Sequence, residues 1–168
     1  MVHSVELLFD ADTEARLRQV WADLAADLSG RLPAGRPHVT VAVAERIAPD
    51  VDELLLPIAR QLPLACSVGA PLLFGRSNAV LARLIVPTTE LLAVHAEVHR
   101  VCGTHLRPGP LPHSLPGHWT PHVTLARRIE GAQLEPVLRI AGQPVEIHGA
   151  LTGLRRWDGT ERVEHPIG

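Results

Sequence analysis

Pro37-His38-Val39-Thr40-Val41-Ala42-Val43-Ala44 and Pro121-His122-Val123-Thr124-Leu125-Ala126-Arg127-Arg128 are the two stretches that decide how this chain reads. Each begins with the same tetrapeptide and runs on into apolar residues, the pattern of a β-strand starting at or just before its histidine. Side chains at i and i+2 share one face of a strand, so each copy presents an imidazole and a hydroxyl together, with Val39 and Val123 turned away. Two such strands side by side make a paired acid/base site.

Chance sets the weight of the pattern. A bare His-x-Thr is expected roughly half a time in a chain of this composition, whereas the full Pro-His-Val-Thr is expected on the order of a hundredth of a time. A third His-x-Thr, His118-Trp119-Thr120, precedes Pro121, which cannot donate to a central ladder, and is read as loop. The lead-in is repeated as well. Val2 to Phe9 reads as a strand and Thr13 to Leu28 as an amphipathic helix ended by Ser29-Gly30, and a loop then reaches His38. Ala79 to Val86, Thr88 to Cys102 and the Pro-rich loop Arg107 to Thr120 repeat that order ahead of His122. The remaining segments read as a short helix over Asp50 to Gln61, bent or cut short by Pro57; a hairpin partner over Leu64 to Phe74 turning at Arg76-Ser77-Asn78; a helix over Gln133 to Ile140; and closing strands over Val145 to Leu151 and Glu161 to His165. The expected fold is α+β, a single bilobed domain over 1–168 with pseudo-repeats at roughly 2–46 and 79–129. Two small antiparallel or mixed sheets flanked by helices would frame a central cleft carrying the two His-x-Thr strands.

Composition narrows the function classes. A chain of 168 residues that is 46% hydrophobic is long enough to bury a core. No run is long enough to span a bilayer, and the start carries no basic segment followed by an apolar one, so a cytoplasmic address without membrane association is expected. Two cysteines are too few for a disulfide framework and are expected as small core residues. A net charge of −2 argues against wrapping a long nucleic acid by bulk electrostatics. All 16 basic residues are arginine, which excludes a lysine nucleophile.

The chemistry of the pair follows from its residue types. Imidazole titrates near neutrality, so one histidine can accept a proton while the other donates one. Two hydroxyls can donate to the non-bridging oxygens of a phosphate as charge builds there. Strand parity puts Arg128 on the face of His122 and Thr124. With aromatic content at 3%, stacking against a ligand ring falls to Phe74, Trp119 or Trp157, or is weak.

Together with Trp119-Thr120 before the second motif and Arg127 after it, these residues resemble the 2H phosphoesterase superfamily, in particular its bacterial 2′-5′ RNA ligase-like and RNA 2′,3′-cyclic phosphodiesterase group. The resemblance implies catalytic roles for His38 and His122, phosphate binding by Thr40 and Thr124, and substrate contacts from Arg127, with Arg128, Phe74 and Trp119 as further candidates. It implies no metal, no cofactor and no stable protein partner, hence a monomer acting on RNA ends or small cyclic nucleotides. Three rival readings stand beside it. One is a metal site at His95 and His99, spaced i, i+4 on a helix, though the order is not His-Glu-x-x-His and His95 would border the apolar stripe while His99 faces solvent. Another is a non-catalytic RNA or nucleotide-binding protein on the same fold. The third is an interaction protein in which the motifs only pack.

Overall fold

The opening strand β1 (His3–Phe9) is buried at every residue, and Asp10 starts helix α1 (Ala11–Ala25) as its N-cap, its carboxylate accepting from Thr13 N at 3.0 Å. Burial works against that carboxylate's charge, but bonds from the Thr13 hydroxyl and from the Thr13 and Ala150 amides hold it down at about 2. The structure, a computed structural model, describes residues 1–28, 31–75 and 78–168. The helix stop expected at Ser29-Gly30 and most of the turn at Arg76-Ser77-Asn78 lie outside the described residues.

Motif strand β2 (His38–Ala44) follows, then the two-residue strand β3 (Arg46–Ile47), helix α2 (Val51–Ala59), and the hairpin of β4 (Leu64–Phe74) and β5 (Ala79–Ile85). Pro57 lies in the last turn of α2, and the helix runs through it to Ala59. Helix α3 (Thr89–Cys102) is capped by the Thr88 side chain, which accepts from Leu91 N. After β6 (Leu106–Arg107) come the second motif strand β7 (His122–Ile129), α4 (Leu134–Ala141), the long β8 (Ile147–Asp158) and β9 (Val163–Ile167). No helix among the described residues is long and apolar enough to cross a membrane.

The α+β class holds, and every strand pair is antiparallel. The two halves expected as separate small sheets are joined into one seven-stranded sheet, ordered β2-β1-β8-β4-β5-β7 with β9 on β8. The junction is the ladder from Leu64↔Leu151 to Val68↔Ile147, where β4 and β8 are each long enough to serve both halves. The sheet curls until its end strands β2 and β7 approach each other without pairing. Its apolar face and the helix stripes, Leu17, Val20 and Leu24 of α1 with Leu91, Val94 and Val98 of α3, form one core. Cys66 and Cys102 are buried free thiols, pushed up by burial to about 11 and about 12.

A fully buried cation crosses this scaffold. Arg83 of β5 is fully buried, and its guanidinium donates to the carbonyls of Gly69 and Val68 in β4, of Ala141 at the end of α4, and of Pro144 and Val145 after it. It replaces the ladder bonds that β4 lacks at its bulge and ties the α4 exit to the sheet. Arg83→Leu strands several buried acceptors at once and is expected to cost about 3 kcal/mol or more. A matching drop in the urea midpoint with an unchanged slope checks it, and Arg83→Lys, with a point charge in place of a fork, should recover only part.

Helix α3 carries the His95 and His99 pair. His95 is buried, stacks on Trp119 with centroids 3.9 Å apart, and donates from Nε2 to Ser114 O at 2.8 Å. His99 is half-buried rather than solvent-facing as expected, and donates from Nε2 to Val41 O at 3.1 Å. Nε2 of each ring is engaged with backbone, and among the described residues no group of three or more potential ligands forms. Burial lowers the basicity of both rings in the fold. The native state therefore binds fewer protons than the unfolded chain, and the stability these rings contribute is present above the ordinary histidine range and lost as pH falls through it. The melting temperature is expected to fall between pH 7.5 and 5.5, about the unperturbed histidine value, and to fall less in His95→Phe, which keeps the stack and cannot titrate.

Candidate active site

The tetrapeptide's proline does local work in both copies. Proline fixes its own φ and holds the preceding residue extended, and the carbonyl two residues before each histidine lies against that histidine's Nδ1. His38 Nδ1 bonds Arg36 O at 2.8 Å and His122 Nδ1 bonds Thr120 O at 2.7 Å. A carbonyl can only accept, so Nδ1 carries the proton in each neutral ring and the basic lone pair is left on Nε2. Arg36 is held in turn by Glu14 of α1, with Nη2 to Oε2 at 2.8 Å.

A second repeated feature follows each threonine. Along β2 the register passes from Thr40↔Glu6 to Ala42↔Val5, and along β7 from Thr124↔Ala82 to Ala126↔Leu81. Val41 and Leu125 are thus bulge residues, and both are fully buried. Each bulge reverses strand parity beyond it. The residue three past each threonine, Val43 or Arg127, comes onto the site face, while Ala42, Ala44 and Ala126 go to the core. The parity expectation for Arg128 fails at the β7 bulge, and a second register shift, between Ala126 and Ile129, turns its side chain out to solvent. Arg128 is exposed at a φ of 58° with its carbonyl accepting from Arg31 Nη1, and it is not among the residues lining the cavity.

The carbonyls at the bulges find donors in the opposite half of the chain. Trp21 Nε1 of α1 donates to Thr124 O at 3.2 Å, Trp119 Nε1 to Thr40 O at 2.9 Å, and His99 of α3 to Val41 O. The loops cross over too: Leu111 N donates to Val43 O at 2.8 Å and Arg127 N to Arg31 O at 2.8 Å. Motif strands that share no ladder are thereby held facing one cavity of about 490 Å³, which His38, Thr40, Phe74, Trp119, His122, Thr124 and Arg127 all line. The third His-x-Thr is part of the wall, since His118, Trp119 and Thr120 line the same cavity. Phe74 lies against His122, ring centroids 4.7 Å apart.

The two imidazoles differ in surroundings. His122 is pushed below the ordinary histidine value first by burial, then by the positive charge of His38, Arg127 and His113. His38 has instead a carboxylate beside it, with Glu6 Oε1 3.5 Å from Nε2. Glu6 is buried at the centre of β1, bonded by Ser4 Oγ at 2.6 Å and by Arg155 Nε at 2.8 Å. The register puts Ala82 where Glu6 would fall beside Thr124. Glu6 and Arg155 are the site residues that sequence reading missed. The available signal was a lone carboxylate amid the apolar residues of β1, on the face opposite Val5, Leu7 and Phe9. A second cavity, of about 290 Å³, shares His38, Thr40 and Arg127 with the first and is lined beyond them by Ser4, Glu6, Arg155 and Trp157.

Comparison with known proteins agrees with this architecture. Three solved structures share the fold at low identity. TT0787 of Thermus thermophilus is 16% identical, covering 100% of this chain and 96% of its own, with a TM-score of 0.62. Escherichia coli LigT complexed with 3′-AMP is 15% identical, covering 99% and 94%, with a TM-score of 0.62. The PDE domain of MHV ns2 is 15% identical, covering 99% of both chains, with a TM-score of 0.54. No curated protein matches by sequence. Residues 9–160 match the 2′-5′ RNA ligase superfamily as a family, a span that takes in both motif strands, and the chain belongs to that superfamily.

Proposed function

We propose that this protein is a metal-independent phosphodiesterase that opens 2′,3′-cyclic phosphate ends of RNA or oligonucleotides, with cleavage or joining of 2′-5′ linkages as the same chemistry on a linear diester. The observation that carries this is the matched pair of histidines, each anchored at Nδ1 by the carbonyl two residues back, so that Nε2 is the basic nitrogen in each neutral ring, and both lining one cavity. In this reading one imidazole takes a proton from the attacking oxygen while the other gives one to the departing oxygen. Thr40 and Thr124 donate to the non-bridging oxygens, and Arg127 faces the charge that builds as phosphorus becomes five-coordinate. Phe74 and Trp119 offer faces for a base. Two related observations support it: a fold neighbour, LigT, has been solved with 3′-AMP and with phosphate, and membership of the superfamily ties the fold to phosphodiester chemistry.

Incubation with 2′,3′-cyclic mononucleotides and cyclic-ended oligonucleotides in excess chelator is expected to give the ring-opened monophosphate. His38→Ala and His122→Ala should each lower kcat by about 10²- to 10⁴-fold while substrate binding changes little. Thr40→Val and Thr124→Val should each cost a smaller factor, about ten-fold or more. Undiminished turnover in the double histidine variant, or activity abolished by chelator and restored by zinc, would sink the proposal, and tight nucleotide binding with no turnover would make the chain a binder.

A further inference from the structure

The reaction proposed above gives the buried Glu6 carboxylate no task. Its Oε1 lies 3.5 Å from His38 Nε2, so a phosphate oxygen in hydrogen-bond reach of that nitrogen comes within about 6.5 Å of the carboxylate. Burial leaves a charge at that range little screened. Nor does charge balance in the scaffold require it. Arg155 bonds Glu6 Oε2 through Nε at 2.8 Å and Nη2 at 2.7 Å, and it bonds Glu164 through Nη1. Its guanidinium carbon also lies 5.5 Å from the ring centroid of Trp157, which pins the group further. One guanidinium between two carboxylates leaves a negative charge in surplus, and Ser4 Oγ, at 2.6 Å from Oε1, brings a hydrogen bond without a charge. The sign is reversed around His122. The register position matching Glu6 is Ala82 there, and the nearby charge is that of Arg127.

We propose that Glu6 is a charge filter on the phosphate site, holding phosphodiesters, with one negative charge, in preference to phosphomonoesters, with two. This selectivity, which rests on the phosphodiesterase reading above and deepens it, names the favoured ligand class and gives the chain a way to shed what it makes. In ring opening a water oxygen bonds phosphorus, one ribose P–O bond breaks and that ribose oxygen keeps a proton. A diester of one charge thereby becomes a monoester whose second acidic proton leaves at about pH 6. The product thus gains close to one charge beside the carboxylate. A site built only from arginine, imidazole and hydroxyl donors favours the more highly charged product over the substrate. A fixed carboxylate a few ångströms away reverses that order, because it repels the second charge as well as the first.

Calorimetric titration of the whole chain with 3′-deoxyadenosine 2′-phosphate and with its methyl ester tests this, since neither ligand has the neighbouring hydroxyl it would need to react. At about pH 8 the first carries two charges and the second one. Wild-type protein is expected to bind the ester more tightly. Glu6→Gln, which keeps the size of the side chain, is expected to tighten the monoester about ten-fold and the ester about three-fold or less. Tighter binding of the monoester by wild-type protein would overturn the proposal, and that comparison decides even if the variant does not fold. Equal shifts for both ligands in Glu6→Gln, the result if the carboxylate acts only through His38, or no binding of either ligand, would overturn it too. Turnover of adenosine 2′,3′-cyclic phosphate is followed on the same samples. Its absence removes the phosphodiesterase reading, whereas turnover with the monoester bound more tightly removes the filter alone.

Discussion

The two motif strands are not hydrogen-bonded to each other, so what holds them face to face is a set of donors crossing between the halves of the chain. Each bulge takes a carbonyl out of its ladder, and a buried carbonyl without a donor costs about 1–3 kcal/mol. Trp21, carried by the first half, satisfies Thr124, while Trp119 and His99, carried by the second, satisfy Thr40 and Val41. Neither half can satisfy its own motif strand at these points. Closure of the curled sheet and formation of the cavity are thus one event, driven by core burial on one side of β2 and β7 and by these directional bonds at the rim.

Within that frame the repeat is close in backbone and divergent in side chains. Proline, Nδ1 anchor, threonine and bulge recur in both halves, so the geometry around the proposed phosphate site is close to twofold. The departures lie at equivalent positions: Arg127 where the first half has Val43, and Glu6 where the second half has Ala82. These two differences place a cation near His122 and an anion near His38. A symmetric pair of imidazoles would have no reason to divide acid and base work; unequal charge beside them provides one. Arg155 extends the same asymmetry outward, since the carboxylate it pairs with borders His38 and the ring it backs, Trp157, lines the second cavity.

Much of this was legible in the chain before any coordinates. The duplicated Pro-His-Val-Thr, the strand-helix-loop lead-in before each copy, and the apolar spacing of α1 and α3 are local patterns, and local patterns report periodicity directly. The histidines and threonines of the proposed site were accessible for the same reason, whereas Arg127 came from the family resemblance and Phe74 and Trp119 from the scarcity of aromatic residues. Arg128 is misplaced by strand parity because an inserted residue reverses the side chains beyond it, and a bulge with a buried aliphatic residue, Leu125, looks like ordinary strand.

His99 and Glu6 show the other kind of limit. On its own helix His99 belongs to the outer flank, and only the approach of β2 supplies the carbonyl that draws it in. Glu6 acquires meaning from Arg155 and His38, partners far from it in the chain and adjacent only across the sheet. The sequence by itself determined which titratable and hydroxyl side chains the motif carries and that it carries them twice, because residue identity and short-range periodicity are written locally. Tertiary structure alone decided which wall each side chain faces, what charge stands beside each imidazole and where a second cavity opens, because register, bulges and cross-half bonds are settled by neighbours distant in sequence.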